Sequence, residues 1–185
     1  MEAIPVNVEE QGKLLRWART TIEAAVRGEE LPAISRDELT GNLEAPHGAF
    51  VTLKKAGELR GCIGKMDFER PLWRNVMDAA VASALEDPRF APVTPAELPE
   101  LRLEISVLEP PHAIASAAEF DAKRHGIIVE KGYRHALLLP KVAEEYGWDE
   151  AQVLDCLCRK AGLAPDAWRD ADARLSVFTA FDFGE

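Results

Sequence analysis

Hydrophobic positions recur at two periods along the chain, and each period predicts one kind of element. Apolar residues spaced three and four apart predict one helix over Val8–Arg27 and a second from Pro71 to about Glu86. A third helix is predicted from Asp149, which can cap it, to Ala161. These stretches give three helices, each with one apolar face for a core.

Strict alternation of apolar and polar residues predicts the strands, and it is clearest over Leu101–Val107. Two pairs of short strands surround turn-forming residues and predict hairpins, and one strand closes the chain. These are Phe50–Lys54 with Leu59–Ile63, Ile127–Glu130 with His135–Leu139, and Leu175–Phe183. Because the strands come in hairpins and do not alternate with helices, we expect an α+β fold: a largely antiparallel sheet with flanking helices.

Composition narrows the class of protein. The chain has 185 residues, 47% hydrophobic and 29% charged, which predicts a single globular domain over 1–185. A net charge of −10 argues against binding to nucleic acid or to an anionic membrane. No apolar run approaches the roughly 18 residues of a membrane span. The first residues lack the features of a signal peptide, and the three cysteines have no disulfide spacing, so we expect a reducing cytoplasm.

Cys62 lies in the segment that is richest in candidate chemistry. Along the predicted strand, Leu59, Gly61 and Ile63 fall on one face, while Arg60 and Cys62 fall on the other. If the apolar face is the core face, the thiol points away from it and stands beside a permanent positive charge. Such a neighbour favours the thiolate, which is the reactive form of cysteine. The alternative is that Cys62 is a small, inert residue that fills a tight space.

The residues around this strand support both binding and structural interpretations. Gly61 and Gly64 indicate a bulge or a close approach of backbone or ligand. Arg89, in Asp87-Pro88-Arg89, can bind the carboxylate or phosphate of a small molecule, whereas Asp87-Pro88 also explains how a helix ends. We take Arg60, Gly61, Gly64 and Arg89 as candidate substrate-binding residues.

No metal or organic cofactor is indicated by the sequence. Cys156 and Cys158 are two residues apart on a predicted helix, so their side chains point in nearly opposite directions and cannot share one ion. No histidine lies near them in the sequence, and core filling is the favoured interpretation.

Five short motifs recur in this order in a known family. They are LRGCIG at Leu59–Gly64, DPRF at Asp87–Phe90, LEISVL at Leu103–Leu108, LLLP at Leu137–Pro140 and KAGL at Lys160–Leu163. From about Gly48 to Phe183 the chain resembles the AMMECR-one family, whose prokaryotic members are called AmmeMemoRadiSam system protein A. The resemblance implies an α+β fold of two unequal lobes around a cleft. It also implies association with a Memo-like protein and a radical S-adenosylmethionine enzyme.

Two hypotheses of different classes follow. In the first, the protein is a cytoplasmic enzyme or modification acceptor that uses Cys62 in a cleft. Its candidate base is His125, in the family-like segment, with His47 as a reserve. In the second, it is a non-catalytic accessory or adaptor protein whose glycine-flanked hairpin is a docking surface. The substrate, the reaction and the oligomeric state do not follow from the sequence.

Overall fold

A computed structural model describes residues 6–185, and this part of the chain forms five α-helices and eight strands. The helices are α1 Val8–Arg27, α2 Gly41–Glu44, α3 Leu72–Leu85, α4 Pro140–Tyr146 and α5 Glu150–Lys160. The strands are β1 Gly48–Lys55, β2 Glu58–Lys65, β3 Leu101–Leu108, β4 His112–Ile114, β5 Gly126–Lys131, β6 Arg134–Leu138, β7 Arg174–Phe178 and β8 Ala180–Gly184.

The strands form two four-stranded antiparallel sheets, which confirms the predicted α+β class. One sheet has the order β2-β1-β3-β8 and the other the order β4-β7-β5-β6. The chain divides into two compact units: the first runs up to Leu108 and includes Phe181–Glu185, and the second is Glu109–Ala180. The prediction of one domain over 1–185 stays a prediction.

Helix α1 has the predicted bounds because its sequence carries both end signals. The Asn7 side chain accepts a hydrogen bond from the Glu10 N–H, and the Glu10 carboxylate accepts one from the Asn7 N–H. This reciprocal pair satisfies two of the N–H groups that a helix start leaves unpaired. At the other end, Gly28 adopts φ +70°, a conformation that favours glycine.

The core of the first unit lies between its sheet and helices α1 and α3. Val51 and Leu53 of β1 and Ile105 of β3 are fully buried on this face, together with Leu14 of α1 and Val76 of α3. The opposite face of β1 carries Phe50, Thr52 and Lys54, because successive strand residues point to opposite sides.

The second unit has its own core, which is built on β5, β7 and α5. Ile127 and Val129 of β5 pack with Val177 of β7, and Leu154 and Leu157 of α5 belong to the same buried cluster. The α5 helix begins where predicted, since the Asp149 carboxylate accepts from the Gln152 N–H.

The end of the chain differs from the prediction. The single strand predicted over Leu175–Phe183 is wrong, because β7 ends at Phe178 and β8 begins at Ala180, and the two pair in different sheets. Hydrophobic alternation runs through both strands, so it does not register a change of pairing partner. Strand β4 and helix α4 are absent from the prediction, since three- and seven-residue elements are too short for a period to be recognised.

Candidate functional site around Cys62

Cys62 lies near the middle of β2, which is an edge strand of the first sheet. It stands directly opposite Thr52 of β1, and its Sγ is 3.2 Å from the Thr52 Oγ1. The cysteine is half-buried, whereas Thr52 is 5% exposed. The thiol therefore has one hydroxyl neighbour on the sheet face opposite the first unit's core.

The backbone of Cys62 is held by two side chains from the DPRF motif. Its N–H donates to the Asp87 carboxylate at 2.8 Å, and its C=O accepts from the Arg89 Nη2 at 3.1 Å. Asp87 and Arg89 also bind each other, with Arg89 Nε and Nη2 at 2.9 and 2.7 Å from the carboxylate oxygens. LRGCIG and DPRF thus form one arrangement, which we call the Cys62 clamp: Cys62, Asp87 and Arg89.

The clamp joins a buried charge to a half-exposed one. The Asp87 side chain is 1% exposed and that of Arg89 is 54% exposed. The hydrogen bond from Arg89 holds the pKa of Asp87 well below its usual range; burial opposes this, and the N–H of Cys62 adds to it. The bond to Asp87 raises the pKa of Arg89 in turn. The pair is therefore charged throughout the physiological pH range.

A β-bulge changes the predicted faces of β2. Leu53 pairs with Gly61 but the next residue, Lys54, pairs with Leu59, so Arg60 is left without an opposite residue. The prediction that Leu59 shares the core face with Gly61 is wrong, because the extra residue reverses the alternation before Gly61. Leu59 is accordingly 42% exposed.

Arg60 is bound to a different carboxylate. Its Nε and Nη2 lie 2.9 and 3.2 Å from the two carboxylate oxygens of Glu97. The hydrogen bond from Arg60 lowers the pKa of Glu97 to about 2. The positive charge predicted to serve Cys62 is thus balanced by Glu97, and Arg89 is the arginine that donates to the Cys62 backbone.

Both glycines of the motif lie where a side chain would collide. A Cβ at Gly61 would be 2.1 Å from the Ser83 backbone oxygen of α3, and one at Gly64 would be 2.3 Å from the Phe50 ring. Gly61 therefore allows α3 to approach β2, and Gly64 allows Phe50 to lie across the strand. Their predicted part in substrate binding stays a prediction.

Ser83 uses this close approach to connect the hairpin strands. Its hydroxyl accepts from the Ile63 N–H at 2.8 Å and donates to the Val51 C=O at 2.7 Å. Helix α3 thus holds β2 at Ile63, and the clamp holds it at the neighbouring Cys62.

The two candidate bases lie in different units. His125 belongs to the second, and its Nδ1 accepts from the Asp121 N–H at 3.2 Å. A neutral ring in that bond carries its proton on Nε2 and presents a donor there. His47 belongs to the first unit, immediately before β1, and its backbone oxygen accepts from the Asn75 side chain at 2.9 Å. The role of either histidine as a base stays a prediction.

The other two cysteines lie on α5 with different exposure. Cys158 is fully buried and burial raises the pKa of its thiol, whereas Cys156 is half-buried. Within residues 6–185, no group of three or more histidine, cysteine or acidic side chains is placed to hold a metal ion.

Sequence reasoning missed three contributors to the site: Thr52, Ser83 and the carboxylate of Asp87 as the acceptor for Cys62. Thr52 could not have been found from the turn, because counting back from Lys55–Glu58 places Val51 opposite Cys62, and only the bulge at Arg60 brings Thr52 there. No local signal joins Asp87 to a backbone N–H that lies 25 residues away in sequence.

Comparison with known protein families gives a match over most of the chain. The sequence model of the AMMECR1 family matches residues 15–183. The chain belongs to the AMMECR1 family. A relative from Methanothermobacter thermautotrophicus is 40% identical, and the match covers 100% of this chain and 99% of the relative. A Methanopyrus kandleri protein is 42% identical over 97% of this chain and 90% of its own length.

A solved structure shares the fold of this AMMECR1 protein. The crystal structure of an uncharacterised Pyrococcus horikoshii protein matches it with a TM-score of 0.92 and 38% sequence identity. The match covers 98% of this chain and 94% of that one. The family is one of uncharacterised proteins, so membership establishes the fold and leaves the activity to be inferred from the site.

The helices in the described part of this AMMECR1 chain do not include a candidate membrane span. Of the helices formed by residues 6–185, none combines the length and the apolar character that crossing a bilayer needs.

Proposed function

We propose that this AMMECR1 protein acts through the Cys62 thiol, as an enzyme nucleophile or as the acceptor of a covalent modification. The observation that carries the proposal is the Cys62 clamp, in which a charged pair holds both backbone polar groups of one half-exposed cysteine. This arrangement fixes the position of the residue whose sulfur would react.

A structural filler has no need for such a clamp. On an edge strand, outward N–H and C=O groups are ordinarily satisfied by water, without a buried carboxylate. Burying the Asp87 carboxylate has a desolvation cost, which its hydrogen bonds offset. Reactive groups, in contrast, work only when held close to one geometry, to within roughly 0.5 Å. The clamp therefore supports a positioning role more than a packing role.

The neighbours of the thiol suit thiolate chemistry. In the proposed step the Cys62 thiol releases its proton to solvent water, and the thiolate displaces a leaving group from an electrophilic carbon of the substrate: the S–C bond forms as the bond to the leaving group breaks, and the leaving group departs with that electron pair. The Thr52 hydroxyl, 3.2 Å from the sulfur, donates a hydrogen bond to it once the proton has left. Arg89 is half-exposed and bonded to the same residue, so it can also receive an anionic group of a small-molecule substrate.

Alkylation of the native chain by iodoacetamide tests the proposal, with peptide mass spectrometry to locate each adduct. Cys156 is the internal control, because it is half-buried like Cys62 but lacks a clamp. We expect Cys62 to react several-fold faster than Cys156. We also expect Arg89→Ala to change the rate at Cys62 and leave Cys156 unaffected. Equal rates at the two cysteines, with no effect of the Arg89 variant, would contradict the proposal.

The variant Cys62→Ser separates function from folding. Serine nearly conserves the volume and retains a hydrogen-bonding atom beside Thr52, so we expect the melting temperature to remain within about 4 °C of the parent. A drop of more than about 8 °C would make Cys62 a structural residue. With the fold retained, the variant should abolish every activity that depends on the thiol.

The family resemblance extends the proposal to partners. We infer that the thiol works with a Memo-like protein and a radical S-adenosylmethionine enzyme, in a reducing compartment such as the cytoplasm. Protection from iodoacetamide provides the measurement: adding either purified partner should slow alkylation at Cys62 and leave Cys156 unchanged. No protection by either partner would remove this part of the proposal.

One observation favours the adaptor alternative. Leu59 lies beside the β1–β2 turn on the edge strand β2, and it is 42% exposed, which suits contact with another protein. If the alternative holds, Leu59→Lys should abolish partner binding, while Cys62→Ser should leave both binding and cellular function intact.

A further inference from the structure

A cavity of about 490 Å³ lies in the second unit, beside the junction of α4 and α5. This volume falls in the range of small-molecule sites, about 300–1,000 Å³. Three of its lining residues have side chains no larger than a methyl group, one is an indole and two are charged. They are Ala122, Ala143, Gly147, Trp148, Lys123 and Glu144.

The indole wall of the cavity is fixed by the backbone on both sides. Gly147 has φ +64°, and the N–H of Gly147 and of Trp148 donate to Glu144 and Ala143 at 3.3 and 3.0 Å. This helix end returns Trp148 toward Ala143. Immediately afterwards, Asp149 caps α5. The backbone of Trp148 is thus held in place before any ligand arrives, which lowers the entropy lost on binding.

An exposed aromatic ring covers one face of this indole. Tyr146 stacks on Trp148 with ring centroids 4.6 Å apart and planes inclined by 21°. Tyr146 is 65% exposed, so the pair is presented at the surface. On the cavity side the indole is accompanied by Ala122, Ala143 and Gly147, so a flat ring has room to lie against the part of the indole that Tyr146 leaves uncovered.

The two charged residues that line the cavity indicate which polar groups a ligand's ring would carry. Lys123 and Glu144 are both exposed, and neither takes part in an ion pair described for residues 6–185. An ammonium group binds phosphate well, and a carboxylate accepts from an amino group. The complementary ligand has a phosphate at one end and an amino-substituted ring at the other.

We propose that this cavity is a binding site for an amino-substituted heteroaromatic ring bearing a phosphate, the chemistry of an aminopurine nucleoside monophosphate. The ring stacks on Trp148, its amino group donates to Glu144, and its phosphate binds Lys123. The site is independent of the Cys62 proposal, and either can fail alone.

Isothermal titration of the full chain tests each contact with a matched pair of probes. Adenosine 5′-monophosphate should bind, whereas ribose 5-phosphate, which lacks the ring, should not. Inosine 5′-monophosphate lacks the amino group and should bind about tenfold more weakly. Adenosine lacks the phosphate and should bind with no dependence on Lys123.

Variants of exposed residues assign the contacts without endangering the fold. Glu144→Ala removes the acceptor, so it should weaken adenosine monophosphate about tenfold and make it equal to inosine monophosphate. Lys123→Ala should weaken both nucleotides and leave adenosine unchanged. Glu145→Gln, an exposed neighbour outside the cavity, should have no effect. The site would be disproved if adenosine monophosphate fails to bind, or binds equally well to all three variants.

Discussion

Asp87→Asn removes the charge from the Cys62 clamp while keeping the shape of the side chain. The carboxylate accepts four hydrogen bonds: one from Cys62 and three from the N–H, Nε and Nη2 of Arg89. An amide has one oxygen to accept with, and its NH₂ group faces a donor. Hydrogen bonds to a charged group contribute about 1.5–3 kcal/mol and neutral ones about 0.5–1.5 kcal/mol. Because Arg89 is 54% exposed and regains water, we expect a loss of about 2–3 kcal/mol.

The free energy of unfolding that Asp87→Asn removes should decrease as the pH falls. The pKa of Asp87 is lowered in the folded chain, so its stabilisation is complete above the unfolded value of about 3.9 and declines as the pH falls below it. The difference between parent and variant should therefore be constant near pH 7. It should shrink by about 1.4 kcal/mol for each pH unit below about 4.

Urea unfolding at pH 7 and pH 3 measures the effect, with Asp78→Asn as the matched control. Asp78 and Arg70 form a pair with the same 2.7 Å separation as Asp87 and Arg89, but the Asp78 side chain is 45% exposed against 1% for Asp87. An exposed pair of this kind contributes at most about 1 kcal/mol. Equal losses from the two variants at pH 7, or a loss at Asp87 that does not shrink in acid, would refute the reasoning.

Three further predictions concern packing, backbone and thiols. In a thermal unfolding assay, Gly61→Ala should destabilise the chain by about 2 kcal/mol or more, because the new Cβ would be 2.1 Å from the Ser83 oxygen. The control is Gly12→Ala, which lies in open space on α1 and should stabilise the chain by about 0.5–1 kcal/mol. Gly147→Ala has open space but φ +64°, so it should cost about 1 kcal/mol from backbone strain alone, and no loss would contradict that account. Cys158 should resist alkylation until urea unfolds the chain, because it is fully buried with a raised pKa; labelling in the native state would contradict its burial.

The sequence predicts those elements whose ends are determined locally. Helix α1 has the predicted bounds because Asn7, Glu10 and Gly28 specify both ends within a few residues. The first hairpin was found for the same reason. Elements whose limits depend on a distant partner were not: the division between β7 and β8 follows from pairing in two sheets, which alternation does not encode.

The candidate site shows the same limit. Cys62 could be singled out from its glycines and neighbouring charge, but the bulge at Arg60 could not be located from the sequence. Arg60 binds Glu97, and Arg89 is the arginine that is hydrogen-bonded to the Cys62 backbone. The ion pair from Arg89 to Asp87 lies within three residues, whereas its attachment to Cys62 requires the folded chain.

The place of β8 in the sheet order has a consequence for how the chain is made. The first unit completes its four-stranded sheet with a strand that follows the entire second unit in sequence. Arg19 of α1 binds Glu185, and the Glu185 N–H donates to the Leu103 C=O at 3.1 Å. During synthesis the first unit therefore lacks its fourth strand until almost all of the second unit, including β7, has been made. During synthesis β3 is the exposed edge, and its pairing groups are open to other chains until β8 arrives.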